Sequence, residues 1–259
     1  MKAKFLACLV FLFLISCKER KSKDTVSDNE IEAPMQTMDS VQNSEEINKL
    51  SETYTISIAK IDSASFFGSK KKVSHQSDTL LKITDFKQAK KLLNGIVEFQ
   101  ETEYYNGIQK INFRNGTVYQ NPSEYTEESF IAFFPTEDIL LCEGGHSTDV
   151  SYNLKNGKLT EETGNPDMIV FSPNKSFRLN GHFGGQECST YFIQKIQNGE
   201  WNKISKLDEE FEKSTGKWLC VIKDSFWIND QTLLLSQIVN YDKSQNPIFD
   251  FYSFTIRKK

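Results

Sequence analysis

Reactive side chains gather in two glycine-rich stretches of this 259-residue chain. One reads Cys142-Glu143-Gly144-Gly145-His146-Ser147-Thr148-Asp149, the other Gly181-His182-Phe183-Gly184-Gly185-Gln186-Glu187-Cys188. Brought to one edge of a sheet, His146, Asp149, His182 and Glu187 would offer two imidazoles and two carboxylates. That set suits a divalent metal or acid–base chemistry. Paired glycines also serve sharp turns between strands, with the polar residues solvated or capping backbone groups. The turn reading carries more weight, because no helical spacing fixes the four side chains.

Other chemical patterns are missing. Cys142, Cys188 and Cys220 show no paired CxxC spacing, so they name no zinc set. The chain has neither a GxSxG elbow nor an HExxH helix. Ser-x-x-Lys recurs at Ser57, Ser69, Ser172 and Ser214 without a KTG partner, as expected by accident in a chain rich in both residues. Neither glycine pair follows a strand and opens a helix, so neither forms a phosphate cradle. The sequence thus assigns no catalytic residue, no metal and no cofactor, and it leans away from an enzyme. Tyr104-Tyr105, Trp201, Trp218 and Trp227 would stack on a glycan or peptide, but in a sheet protein such residues more often belong to the core.

The elements that must position these loops are mainly β. Tyr54 to Ile61 alternates apolar and polar residues and reads as a strand with one buried face. Leu80 to Ile83 is a second short run. Asp85 reads as the N-cap of a helix bearing Phe86, Ala89, Leu92, Leu93 and Ile96 on one side, with Asn94-Gly95 near its end. Ile108 to Phe113 returns through Asn115-Gly116 to Val118-Tyr119 as a hairpin. Glu124 to Phe130 reads as a helical turn, and from Phe130 to Ile256 the chain reads as strand and turn throughout.

That half carries a weak repeat. Phe133-x-Pro135 is followed by Ile139 and Leu141, Phe171-x-Pro173 by Phe177 and Leu179, and Trp227-x-Asn229 by Leu233 and Leu235. An aromatic-turn-strand unit of this kind resembles a β-propeller blade. Only three units are visible, so the expected fold is mainly β: an antiparallel meander of hairpins with one packed helix, with a β-propeller-like ring as the alternative.

The chain begins Met1-Lys2-Ala3-Lys4, followed by the apolar run Phe5 to Ile15 and then Ser16-Cys17. A basic start, a short apolar run and a small residue at the break read as an export signal. Leu14-Ile15-Ser16-Cys17 resembles the lipobox of bacterial lipoprotein precursors. The resemblance covers residues 1–17 and implies cleavage before Cys17, with a diacylglycerol on its thiol. By the same resemblance Lys18, where an aspartate would favour inner-membrane retention, implies the outer membrane, and the absence of an acidic run there implies its periplasmic face.

From Lys18 to about Thr53 the chain is polar, without an aromatic, and reads as a flexible tether reaching roughly 30 Å. The expected organisation is therefore a signal at 1–16, a lipidated tether at 17–53 and a β-rich domain at 54–259. With 38% hydrophobic residues and 20 Phe, the last part has material for one sizeable core. The formal charge is −4, and loss of Lys2 and Lys4 makes the mature chain more acidic still, which excludes an electrostatic footprint for nucleic acid. The basic cluster Lys70-Lys71-Lys72 reads as a solvated loop.

Export permits disulfides. Cys142 and Cys188, in neighbouring units of the repeat, form the leading candidate pair, and three buried thiols are the alternative. The expected function is an envelope-anchored binding domain for a protein, peptide or glycan. A metal-assisted or acid–base hydrolase and a periplasmic inhibitor or immunity-type lipoprotein are the other readings.

Overall fold

The computed structural model describes residues 53–73, 79–123, 125–186 and 188–259. Cys17, the tether and its loosely patterned segment Glu30 to Leu50, His75, Glu124 and Glu187 lie outside them. All described residues belong to one unit, Leu50–Lys259.

The chain enters as β1 (Tyr54–Ile61) and turns at once into α1 (Ser63–Lys70). The Asp62 carboxylate caps this helix by accepting the Ser65 N–H at 2.7 Å. A second helix, α2 (Phe86–Leu92), starts as its sequence predicts, with Asp85 accepting the Gln88 N–H at 2.7 Å. Then come β2 (Val97–Glu101), β3 (Asn106–Asn112), β4 (Val118–Gln120), β5 (Ser129–Phe134), β6 (Ile139–Glu143) and β7 (Asp149–Asn153). A single helical turn, α3 (Thr160–Thr163), precedes β8 (Val170–Phe171), β9 (Phe177–Phe183), β10 (Ser189–Gln197) and β11 (Glu200–Lys206). Finally α4 (Leu207–Thr215) leads to β12 (Ile222–Asn229), β13 (Thr232–Tyr241) and β14 (Pro247–Lys258).

The strands form three antiparallel sheets. One is ordered β2-β3-β5-β6-β7 with β4 on β3, the second β11-β10-β9-β8, and the third β1-β14-β13-β12. The three units of the sequence repeat are three hairpins, one per sheet, with Phe133 opposite Leu140, Val170 opposite Leu179 and Trp227 opposite Leu233. In the last sheet the first strand of the domain pairs with the last, from Tyr54 against Lys258 to Ile61 against Phe251.

The mainly β, antiparallel class holds, but the helices number four among the described residues and not one. In α1, Phe66 is fully buried against Phe226 and Phe251 (ring centroids 5.0 and 4.8 Å apart), so tertiary packing outweighs a weak local signal. Its last residue, Lys70, pairs with Asp224. In α4, three acidic residues occupy the first turn and Gly216, at φ 68°, closes the C-terminus. On α2, Ala89 and Leu93 are buried whereas Leu92 is exposed, so the apolar stripe is narrower than its spacing suggests. The stretch Glu124 to Phe130 contains no helix among its described residues. The Thr126 hydroxyl accepts the Glu128 N–H at 3.1 Å, and β5 begins at Ser129.

Packing differs between the two faces of β9. Phe177 and Leu179 join Tyr191, Ile193, Leu233, Leu235, Tyr252, Phe254 and Ile256 in the largest apolar core, shared by the second and third sheets. On the other face, Arg178, Asn180 and His182 follow at period two and are also buried. Burying such groups is tolerable only when they are paired. The Arg178 guanidinium donates to Glu137 and to Gln194, each at 2.6 Å, and lies 4.2 Å from the centre of the Trp201 ring. Asn180 donates to the Thr163 carbonyl at 2.8 Å, an approach that Gly164 permits. A Cβ at Gly164 would lie 2.6 Å from the Asn180 amide, and its φ is 70°.

Candidate functional site

One end of the sheets collects the loops that the sequence singles out. Glu101 pairs with Asn106, Gly107 with Ser129, Ser129 with Glu143, and Glu143 with Asp149. The Asp149 carboxylate then crosses to the second sheet, accepting the Phe183 N–H at 2.7 Å, and Phe183 pairs with Ser189. Ser189 donates to the Cys220 carbonyl at 3.2 Å, which carries the same end onto the third sheet. The two glycine-rich loops therefore do meet. A Cβ built on Gly185 would lie 3.2 Å from the Thr148 methyl carbon.

Their four candidate side chains are used unequally. Asp149 is committed to structure: besides the Phe183 amide it accepts the Asn165 side-chain amide at 3.0 Å. His146 is exposed, in left-handed backbone at φ 58°. His182 is buried beside Phe192, with its Nε2 3.4 Å from Glu161 and its Nδ1 without a hydrogen-bond partner among the described residues. Glu187 lies outside the described residues. Gly181 serves close strand packing, since a Cβ there would meet the Thr190 carbonyl at 2.5 Å. Among the described residues, no group of three or more His, Cys, Asp or Glu side chains is placed to share a metal ion.

Asp149→Ala would leave the partly buried Phe183 amide at the end of β9 without its acceptor. The expected cost is about 1–3 kcal/mol, read as a lower urea midpoint at unchanged slope, with Asp149→Asn retaining most of the stability. An alanine variant that unfolds with the parent would show that this bridge between sheets carries no weight.

The expected Cys142–Cys188 bond is not made. Cys188 joins Cys220 across a sequence separation of 32, and Cys142 is a buried free thiol. The reason is topological: the β9–β10 turn is set beside the segment entering β12, whereas Cys142 packs in the core of its own sheet with Leu140, Tyr152 and Ile108. Burial, with Glu128 nearby, pushes the Cys142 thiol well above the ordinary range. Glu128 also accepts from Tyr152 and, at 3.4 Å, from Tyr119, whose rings lie 5.1 Å apart. Both phenols are held above their usual range, chiefly by burial. This carboxylate–diphenol cluster has no sequence signature, because its members come from three separate segments.

A concave site stands at the same end, beside the disulfide. A cavity of about 250 Å³ is lined by Ser189, Thr190, Asp208, Glu209, Glu212 and Trp218, together with both half-cystines and Leu219. Trp227 is core, as the sequence reading prefers, and donates its indole N–H to the Val170 carbonyl at 2.8 Å. Trp218 is the opposite case and is 75% exposed. Its composition gives no hint of this; the Gly216 that ends α4 just before it is the one local signal. No helix among the described residues is long and apolar enough to cross a membrane. Comparison of the chain with family models, with curated proteins and with solved structures found no match to any of them.

Proposed function

We propose that this chain is an outer-membrane lipoprotein, held by an acylated Cys17 on the periplasmic side, whose β-rich domain binds an envelope protein, peptide or glycan and performs no catalysis. The observation that carries the reading is Leu14-Ile15-Ser16-Cys17 followed by a polar run to Thr53. The loop geometry supports the binding part. Asp149 is occupied in joining two sheets, and an exposed aromatic borders a concave site at the same end.

The test is metabolic labelling with a palmitate analogue in a Gram-negative host, followed by detergent phase partitioning. The parent chain is expected to be labelled and to enter the detergent phase. Cys17→Ser is expected to lose all label and to accumulate as precursor. An unlabelled parent, or a labelled and processed Cys17→Ser, would end the lipoprotein reading. Retention of a partner by the immobilised protein from envelope extract tests the binding part, which fails if nothing is held at low salt.

A further inference from the structure

We infer that the cavity beside Trp218 is a carbohydrate subsite, with the indole as a stacking platform for one sugar ring. The inference rests on the binding-domain reading and names the ligand class for it.

The indole of Trp218 is 75% exposed and borders a concave, polar-lined cavity, which leaves its face open to a ligand. The indole is also held in place. Its N–H donates to the Glu212 carboxylate at 3.2 Å, and its backbone carbonyl accepts from the Gln237 amide. Two residues on, Cys220 is tied to Cys188 by the disulfide. A ring fixed before the ligand arrives loses little entropy on binding.

The cavity, at about 250 Å³, is smaller than the roughly 300 Å³ at which sites for drug-sized ligands begin, so it suits one ring rather than an enclosed oligomer. Its polar lining residues are Ser189, Thr190, Asp208, Glu209 and Glu212. These acceptors match the O–H groups of a sugar, while the indole face matches the C–H face of its ring.

A cationic ligand is the competing class, and part of the local charge is already engaged. Glu209 already pairs with Lys206 at 2.7 Å, and Glu212 is engaged by the indole N–H. Asp208, half-buried at the start of α4, is held above the usual carboxylate range chiefly by desolvation. The lining thus offers hydrogen-bond acceptors to a sugar, and the dependence of binding on salt separates this from attraction of a cation.

The full-length protein, purified in a polyoxyethylene ether detergent so that no alkyl glycoside competes, would be titrated with a trimer of β-1,4-linked N-acetylglucosamine and with maltotriose. Binding would be followed by tryptophan fluorescence and by calorimetry, with hexalysine as the cationic probe. At least one sugar is expected to bind with little dependence on salt. Trp218→Ala is expected to weaken it by at least roughly tenfold, and Glu212→Gln by several-fold. Far-ultraviolet dichroism and melting of both variants would show that they remain folded. Silence of both sugars at millimolar concentration, or sugar affinity unchanged in folded Trp218→Ala, would overturn the inference. Salt-sensitive binding of hexalysine in place of sugar would replace it with a cation site. Retention of an envelope protein without sugar binding would sink the carbohydrate assignment and leave the binding-domain reading standing.

Discussion

Glu137→Ala is expected to destabilise the domain by about 3–5 kcal/mol, because it removes one partner of a buried ion pair and strands the other. Arg178 is 2% exposed, and Glu137 in the β5–β6 turn supplies the carboxylate that balances it at 2.6 Å. The guanidinium is held below its ordinary range by desolvation first, with Glu137 opposing that fall. Without Glu137 a positive charge remains between two sheets, with one nitrogen still bonded to Gln194 and the Trp201 ring near by. Glu137→Gln keeps an acceptor and is expected to cost less. Combining Glu137→Ala with Arg178→Met removes the orphaned charge and is expected to recover part of the loss, giving a clear coupling energy in a double-mutant cycle. Urea unfolding followed by tryptophan emission measures all four proteins. A single variant within 1 kcal/mol of the parent would mean that water reaches the guanidinium.

Cys188→Ala/Cys220→Ala is the second large effect. The bond joins residues 32 apart and closes a loop that contains all of β10, β11 and α4, and this loop length corresponds to about 3–4 kcal/mol of lost chain entropy in the unfolded state. For a domain of this size that is a fall in melting temperature of roughly ten degrees. The same pair of substitutions frees the approach to Trp218, so emission from that residue is expected to change before global unfolding begins. Cys142, buried and free, provides an internal reporter. Its thiol is expected to stay unreactive in the folded parent and to be modified at lower temperature in the variant. Equal melting of the two proteins would show that the bond decorates a loop already held by other contacts.

Local signals were legible where the chain satisfies itself within a few residues. The Asp85 cap, the β3–β4 hairpin with Asn112 opposite Val118, and the three repeat hairpins all rest on contacts close in sequence. Features made by one sheet meeting another were not legible. Alternation along Phe177 to Phe183 suggests one wet face, yet Arg178, Asn180 and His182 are roofed by α3 and the β5–β6 turn. Periodicity reports that two faces differ; it does not report what covers the polar one. Likewise, neither the disulfide partner of Cys188 nor the exposure of Trp218 follows from spacing, because both depend on where the third sheet packs. The two glycine-rich loops meet for a structural reason that spacing does not carry: Asp149 of β7 accepts the amide of Phe183 in β9.

The pairing of β1 with β14 has a consequence for biogenesis. Thr55 and Arg257 stand 202 positions apart yet share a ladder, and the Lys259 amide donates to the Thr53 carbonyl at 2.9 Å. The third sheet therefore cannot be completed until the final twelve-residue strand has emerged from whatever machinery delivers the chain. A product truncated ahead of Pro247 would carry raw ladder edges on both β1 and β13, which invite proteolysis or self-association. Closure of the third sheet is thus a late event in folding, made by strands from opposite ends of the domain.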